Sequence, residues 1–122
     1  MNDVWTYSAS TMRWEEVNTT GEKPSYRSNC SLNYDPESQQ LVVFGGGGPN
    51  KQRFNTINVL DWKTKVWVEI SPKENEASPW ERTYHVAELR FPYLILFGGE
   101  GVSDLDDLWI FNFNTHSWTE VK

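Results

Sequence analysis

The sequence predicts an all-β domain made of repeated four-stranded antiparallel units, and three observations support this prediction. Tryptophans recur at a nearly constant interval, because Trp14, Trp67 and Trp118 lie 53 and 51 residues apart. Each of them begins the pattern Trp-x-Glu-(Val/Ile). No stretch of ten or more residues has the i, i+3, i+4, i+7 apolar spacing of an amphipathic helix. A repeat of about 50 residues that contains only strands indicates a structure assembled from stacked β units.

The first two strands of a unit, a and b, follow a Pro-x-x-Arg segment. In strand a, polar and apolar residues roughly alternate, which is typical of a strand with one buried face. Strand b is a continuous apolar run that ends at a glycine pair, and its length favours a strand buried on both faces over a helix. The Pro-x-x-Arg segments are 24–27 and 79–82, strand a is 28–33 and 83–89, and strand b is 41–44 and 94–97.

Strands c and d complete the unit. Strand c is a short, largely apolar segment, strand d surrounds the repeated tryptophan, and a polar stretch of hairpin-turn composition separates them. Strand c is predicted at 4–7, 57–60 and 108–111. The chain therefore divides into the outer c–d strands of an incomplete unit, 1–17, and two complete units, 24–70 and 79–121.

These motifs together resemble kelch repeats along the whole chain. The resemblance is carried by Phe-Gly-Gly at 44–46 and 97–99, by Asp-Leu-Trp-Ile-Phe at 107–111, and by Pro79, Arg82 and His85 in the pattern Pro-x-x-Arg-x-x-His. It implies that each unit is a blade of a β-propeller. Propellers typically close with four to eight blades, so two and a half blades are a propeller fragment. We therefore expect other propeller blades, from the same protein or another chain, as partners, and an apolar blade side exposed to solvent.

The composition of the chain argues against a nucleic-acid-binding protein, a membrane-spanning protein and a disulfide-stabilised scaffold. A net charge of −6 argues against binding to the phosphate backbone of a nucleic acid, which needs a basic surface. No apolar run approaches the roughly 20 residues that span a bilayer, and a single cysteine, Cys30, excludes a disulfide scaffold. We expect no membrane partner, no cofactor and no metal, since no metal-ligand spacing or phosphate-binding loop is present. The chain start does not resemble a secretory signal, which favours the cytoplasm, with the nucleus as the alternative.

Loop parity in an antiparallel meander predicts a binding face. The d–a and b–c loops emerge on one side, where they are longer and richer in glycine than the hairpin turns on the other. Binding residues concentrate on such loops, so we expect a protein or peptide ligand there. The candidate partner-binding residues are Arg27, Ser28, Asn29, Lys51, Arg53, Arg82, Thr83, Tyr84 and Glu100.

Several of these residues have a competing structural interpretation. Arg27 and Arg82 either grip carboxylates of a ligand or bond carbonyls of a neighbouring blade and lock the ring; their repetition favours the second role. His85 is expected to be a structural histidine, and Asp107 to cap a turn. The remaining structural candidates pack between blades or form turns: Trp14, Trp67, Trp118, Gly45, Gly46, Gly98 and Gly99.

The favoured function is a non-enzymatic interaction module, an adaptor or scaffold that docks a protein or peptide through its d–a and b–c loops. The alternative, which rests on the resemblance, is a segment of a propeller enzyme of the galactose-oxidase or sialic-acid-mutarotase type. A copper oxidase of that kind needs tyrosine, histidine and cysteine near the channel, and Tyr84 and His85 are the only neighbouring pair of that type. A third interpretation makes the open blade edge itself the interaction surface.

Overall fold

A computed structural model describes all residues, 1–122, and its regular secondary structure is entirely β. No helix is present that could cross a membrane. The strands, in chain order, are β1 Val4–Ser8, β2 Arg13–Val17, β3 Thr20–Gly21, β4 Ser31–Asp35, β5 Gln40–Phe44, β6 Ile57–Asp61, β7 Val66–Ile70, β8 Val86–Arg90, β9 Tyr93–Glu100, β10 Asp104–Asn112 and β11 Ser117–Val121.

The strands form three sheets that follow the predicted repeat. β1 and β2 form an antiparallel hairpin, β4–β7 form an antiparallel meander (blade 1), and β8–β11 form a second meander (blade 2). The register repeats as well, because the tryptophan of strand d lies opposite Tyr7 in the hairpin, Leu60 in blade 1 and Phe111 in blade 2. The prediction of an all-β fragment built from propeller blades is confirmed.

Two local features differ from the sequence prediction. The a strands begin at Ser31 and Val86, three residues later than expected, because Asn29 and Tyr84 adopt left-handed backbone conformations with φ of 56° each. The short strand β3 was not predicted; it pairs in parallel with β7 and places Gly21 opposite Trp67. A Cβ on Gly21 would lie 2.3 Å from the carbonyl oxygen of Trp67, so this approach requires glycine.

The main core lies between the two blades. Its buried residues are Val42, Phe44, Ile57 and Val59 from blade 1 and Leu94, Leu96, Trp109 and Phe111 from blade 2. β5 is buried on both faces as predicted, with Val42, Val43 and Phe44 at most 8% exposed. The same prediction is wrong for β9, where Ile95 and Phe97 are 36% and 49% exposed because no blade covers that face. An apolar blade side is therefore open to solvent.

The three repeated tryptophans have different surroundings. Trp67 is 3% exposed in the core of blade 1, and its indole nitrogen donates to Thr19 Oγ1 at 3.2 Å. Trp118 is half-buried and lies edge-on to Phe44 with ring centroids 5.4 Å apart. The prediction of packing for Trp14 is wrong: it is 66% exposed, since the hairpin has no inner strands, and its ring has Tyr7 as its aromatic neighbour.

The glycine pair directly follows β5 in blade 1 but lies inside β9 in blade 2, where the strand continues beyond the predicted residue 97 to Glu100, and the backbone conformation at both pairs favours glycine. Gly45, Gly46, Gly98 and Gly99 have φ of 63°, 96°, 62° and 101°. A Cβ on Gly99 would lie 2.6 Å from the carbonyl oxygen of Thr83 in the neighbouring strand a segment. Gly46 in blade 1, which lies against the Ser28 carbonyl, and Gly99 in blade 2 thus let strand b approach the start of strand a closely.

Candidate functional site

Backbone hydrogen bonds join the loops of blade 1 to the Pro-x-x-Arg segment of blade 2. The amide of Arg82 donates to the Phe54 carbonyl at 3.1 Å, and its own carbonyl accepts from the Gly46 amide at 2.9 Å. The Tyr84 amide donates to the Asn29 carbonyl at 3.2 Å. The predicted binding loops are therefore held on a frame that spans both blades.

A side-chain amide joins the inner strands of the blades. Asn33 Nδ2 in β4 donates to the Ala87 carbonyl at 3.1 Å, and Asn33 Oδ1 accepts from the Leu89 amide at 3.2 Å. Both partners are backbone groups of β8, so one amide satisfies a donor and an acceptor of the facing strand.

The side chain of Arg82 is fully occupied inside blade 2. It is 0% exposed, and its guanidinium donates to Asp107 Oδ1 at 2.6 Å and Oδ2 at 2.8 Å. It also donates to the Gly98 carbonyl and, through Nε, to the Trp80 carbonyl, both at 2.9 Å. This corrects both interpretations of Arg82. The buried guanidinium cannot contact a partner, and its side chain binds its own blade rather than a neighbouring one.

The partner of Arg82, Asp107, was expected to cap a turn and instead accepts three hydrogen bonds. Besides the two from Arg82, Trp109 Nε1 donates to Asp107 Oδ2 at 2.7 Å. The hydrogen bonds from Arg82 are the main cause of a pKa for Asp107 below its usual value, with Trp109 acting in the same direction and burial opposing. Arg82 and Asp107 therefore form a bidentate arginine–carboxylate pair, and the Trp109 indole donates to the same carboxylate.

Arg27 occupies the equivalent position in blade 1 but has no carboxylate partner, because Thr56 stands where blade 2 has Asp107. Its guanidinium donates to the Gly45 carbonyl at 3.2 Å and to the hydroxyl of Ser25 at 3.2 Å, and lies 4.0 Å from the centre of the Phe54 ring. Burial lowers the pKa of Arg27, which is half-buried. Of the two arginines, only Arg27 keeps an uncompensated positive charge near the surface.

Tyr84 and His85 do not share a site. Tyr84 is 67% exposed, whereas His85 is 8% exposed, lies edge-on to Phe44 and is hydrogen-bonded through Nε2 to Ser31 Oγ at 3.1 Å across the blade interface. Burial and then the charge of Arg82 lower the pKa of His85 to about 4, so its ring is neutral at physiological pH. No group of three histidine, cysteine, aspartate or glutamate side chains is arranged to hold a metal ion.

The remaining predicted residues fall into buried and exposed sets. Thr83 is 7% exposed and bonds Glu100 through reciprocal backbone hydrogen bonds, which corrects its prediction as a contact residue. Ser28, Asn29, Lys51 and Glu100 are exposed. Arg53 is half-buried and donates to Glu100 Oε1 at 2.8 Å, which links the b–c loop of blade 1 to the end of β9 in blade 2.

Beside this ion pair lies a hollow that the sequence analysis missed. It is lined by Arg53, Asn55, Trp80, Glu81 and Val102. Trp80 and Val102 are 67% and 97% exposed. The signal was available in the sequence, because Trp80 lies inside a Pro-x-x-Arg segment and matches none of the repeated tryptophans of strand d.

Comparisons with known proteins agree with this architecture. A family model described as the KLHDC2/KLHL20/DRC7 Kelch-repeats domain matches residues 1–122. Dynein regulatory complex subunit 7 of Chlamydomonas reinhardtii is 34% identical over 101 residues, which cover 83% of this chain and 8% of that protein. Acyl-CoA-binding domain-containing protein 4 of Arabidopsis thaliana is 29% identical over 122 residues, or 99% of this chain and 18% of that protein.

A third relative extends the comparison to another kingdom. The host cell factor homolog hcf-1 of Caenorhabditis elegans is 26% identical over an aligned length of 140 residues, and the alignment covers 99% of this chain and 18% of that protein. The chain thus spans less than a fifth of the length of these curated relatives.

Proposed function

The chain belongs to the kelch-repeat family, and from this premise we propose that it binds a protein or peptide segment on its d–a and b–c loop face, at the hollow beside Trp80. Kelch domains generally serve protein interaction, which supports the class of function. The chain acts here as an adaptor or scaffold, and its compartment stays the predicted cytoplasm, with the nucleus as the alternative.

The single observation that carries the proposal is the exposed apolar surface on anchored loops. Trp80 and Val102 are exposed to solvent and line one hollow together with Arg53, which is paired with Glu100. Exposed indoles on a rigid frame are favoured anchors in protein interfaces, because they bury a large area at a small cost in conformational entropy. The inter-blade hydrogen bonds of Arg82 and Tyr84 supply that frame.

Charge further defines the ligand. Arg53 and Glu100 compensate each other, whereas Glu81, Asp104 and Asp106 are exposed and form no ion pair. An acidic surplus next to an indole favours a segment with basic side chains flanking an apolar or aromatic residue. Lys51 on the neighbouring loop adds a single opposing charge at the rim.

The enzyme alternative has no observation in its favour. Tyr84 and His85 lie in different environments, one exposed and one buried. The guanidinium of Arg82 is buried and bonded to Asp107 and to the Gly98 carbonyl of its own blade. These contacts favour the interaction module over the enzyme.

A displayed random-peptide library selected on the full chain tests the proposal. We expect selected peptides to be enriched in basic and aromatic residues. Trp80→Ala should weaken their binding by about 30-fold, as loss of a central aromatic anchor costs roughly 2 kcal/mol. Trp14→Ala is the matched control, because Trp14 is equally exposed, at 66%, but lies on the hairpin.

A clear outcome contradicts the proposal. The loops on the other side of the blades border a second apolar hollow, which includes Phe91, Phe113 and His116. Selected peptides that bind Trp80→Ala as tightly as the parent, but lose binding to Phe91→Ala, would move the interaction site to that hollow.

A further inference from the structure

A second apolar hollow lies between the two complete blades, beside the turns that join strand a to strand b and strand c to strand d. It measures about 300 Å³, and we call it the turn-side hollow. One wall belongs to β7 of blade 1 and the other to blade 2, and the apolar lining includes Val66, Val68, Ile70, Phe91 and Phe113. It shares no lining residue with the hollow beside Trp80.

The two valines of the β7 wall are exposed at positions where the repeat accepts polar residues. Val66 and Val68 are 37% and 50% exposed. The register between strands c and d is the same in all three units. The corresponding residues are polar in both other units: Arg13 and Glu15 in the hairpin, Ser117 and Thr119 in blade 2. The architecture of a blade therefore does not explain why these two positions are apolar in β7.

The facing wall is aromatic and is anchored to the core. Phe91 is 42% exposed and stacks on Phe113, with ring centroids 5.6 Å apart. Phe113 in turn lies edge-on to Phe111 of the core at 4.9 Å, and its amide donates to the Pro92 carbonyl at 2.9 Å. These contacts hold the wall in place while Phe91 remains accessible from solvent, so the hollow is formed before anything enters it.

Positive side chains are carried by the turns at the border of this hollow. Lys63 and Lys65 belong to the turn between β6 and β7, and neither forms an ion pair. Lys73 Nζ donates to the Thr115 carbonyl at 3.5 Å, on the turn between β10 and β11, and is paired with Glu76 at 3.5 Å. The two unpaired lysines leave a positive surplus at this border.

The acidic residue of the lining is bonded within its own turn. Asp61 Oδ1 accepts from the amides of Lys63 at 2.8 Å and Thr64 at 3.2 Å. These backbone donors hold the carboxylate in the turn, and the side chains of Lys63 and Lys65 remain to attract an anionic group.

We propose that the turn-side hollow is a second binding site, which takes an apolar side chain of a partner segment whose neighbouring residues are acidic. The apolar side chain packs between the two valines and Phe91, and the acidic residues lie against Lys63 and Lys65. The volume is near the lower limit of small-molecule pockets, which favours a side chain over a larger ligand. This site goes beyond the function proposed above, because it uses the opposite loops and selects the opposite charge.

A displayed random-peptide library selected on the full chain with Trp80→Ala tests the inference, since this variant lacks the indole of the other hollow. We expect selected peptides to combine an apolar or aromatic residue with aspartate or glutamate. Synthetic copies of these peptides are then titrated, by fluorescence anisotropy, into further variants made in the same Trp80→Ala chain.

The double substitution Val66→Ser and Val68→Thr gives β7 the residues that blade 2 carries at these positions, so the thermal unfolding midpoint should not change. Affinity for the peptides should fall about 10-fold, because the wall loses apolar surface. Lys63→Glu changes only an exposed turn and should weaken binding roughly fivefold at low salt and less at high salt. Val86→Thr is the matched control: Val86 is 65% exposed on the uncovered face of blade 2, and its loss should leave affinity unchanged.

Three results would overturn the inference. The first is a Trp80→Ala chain from which no binding peptide is selected. The second is a set of peptides that bind the double variant as tightly as the Trp80→Ala chain but lose binding to Val86→Thr, because the uncovered face of blade 2 is then the surface they occupy. The third is a set of peptides whose binding Lys63→Glu leaves unchanged or strengthens. Selection on the parent chain tests the hollow beside Trp80 separately, so either site can fail without the other.

Discussion

The pair between Arg82 and Asp107 provides the sharpest test of how blade 2 is held together. The substitution Asp107→Asn keeps the size of the side chain but removes the charge that faces Arg82. Arg82 is 0% exposed and cannot turn to water, so its guanidinium remains buried with only carbonyl and amide partners. Leaving a buried charge unpaired costs about 3–5 kcal/mol. The Asp107 side chain is 21% exposed, so we expect the lower end, about 3 kcal/mol.

Urea unfolding followed by tryptophan fluorescence at pH 7 measures this change. The matched control is Asp106→Asn, since Asp106 is the exposed neighbour and takes part in no ion pair. We expect this control to change the free energy of unfolding by less than about 0.5 kcal/mol.

The pH dependence gives an independent measurement of the same pair. The pKa of Asp107 is lowered in the folded protein from its ordinary value of 3.8, so the contribution of its charge is complete above that value. It is lost as the pH falls through the lower folded pKa. The difference in stability between the parent and Asp107→Asn should therefore be constant from pH 7 to pH 5 and shrink below about pH 4.

One result would refute the reasoning. If Asp107→Asn cost no more than Asp106→Asn at pH 7, the carbonyl oxygens of Gly98 and Trp80 would suffice to hold Arg82. The carboxylate would then have no structural role in blade 2.

Three further perturbations test other parts of the fold. The parent chain should lose roughly 3 kcal/mol of stability between pH 6.5 and pH 4, because His85 protonates near pH 6.5 in the unfolded chain but only near pH 4 in the folded chain. In His85→Gln this loss should disappear. A pH profile of urea unfolding that is the same for His85→Gln and the parent would contradict this. Asn33→Ala should lower the free energy of unfolding by about 1–3 kcal/mol and speed hydrogen exchange at the Leu89 amide, since the Ala87 carbonyl and the Leu89 amide lose their partner. Equal exchange rates of the Leu89 amide in Asn33→Ala and the parent would exclude the inter-blade role of Asn33. Trp67→Ala should lower the free energy of unfolding by about 3–5 kcal/mol, because Trp67 is buried, and Trp14→Ala by less than about 1 kcal/mol, because Trp14 is exposed. Similar losses for the two variants in chemical denaturation would contradict this difference in burial.

The repeat itself was readable from the sequence because each landmark has a local cause. Trp-x-Glu, the apolar run and the glycine pair recur in fixed order, and strands b, c and d follow from them to within a few residues. The a strands begin later than predicted because Asn29 and Tyr84 adopt positive φ. This conformation is uncommon in residues other than glycine, so the sequence does not predict it at these positions.

Other features depend on what stands next to a residue in space. Trp14 and Trp67 begin the same Trp-x-Glu-(Val/Ile) pattern, yet Trp67 is buried in a blade that has inner strands and Trp14 is exposed on a hairpin that has none. Ile95 and Phe97 likewise belong to a run that predicts burial on both faces, yet no blade lies beyond them.

The sequence allowed only part of the candidate site to be predicted. Loop parity placed Arg53 and Glu100 on the same side of the blades, and their side chains meet at 2.8 Å. The role of Arg82 was missed because its partner, Asp107, is 25 residues away in the chain and was assigned to a turn. Comparison of the copies held the clue, since Asp3 and Asp107 both lie two residues before a tryptophan while the intervening copy has Thr56.

The contacts between units have a consequence for how such a chain can be rearranged. Asn2 and Asn55 each donate to the carbonyl of a following proline, Pro24 or Pro79, at 3.2 Å, and Asn33 bonds only backbone groups of β8. Groups that every peptide unit carries cannot distinguish one neighbour from another. The order of the units is therefore set by the shape of their apolar sides together with the two side-chain contacts that join the blades, His85 to Ser31 and Arg53 to Glu100, and a foreign unit would have to match both.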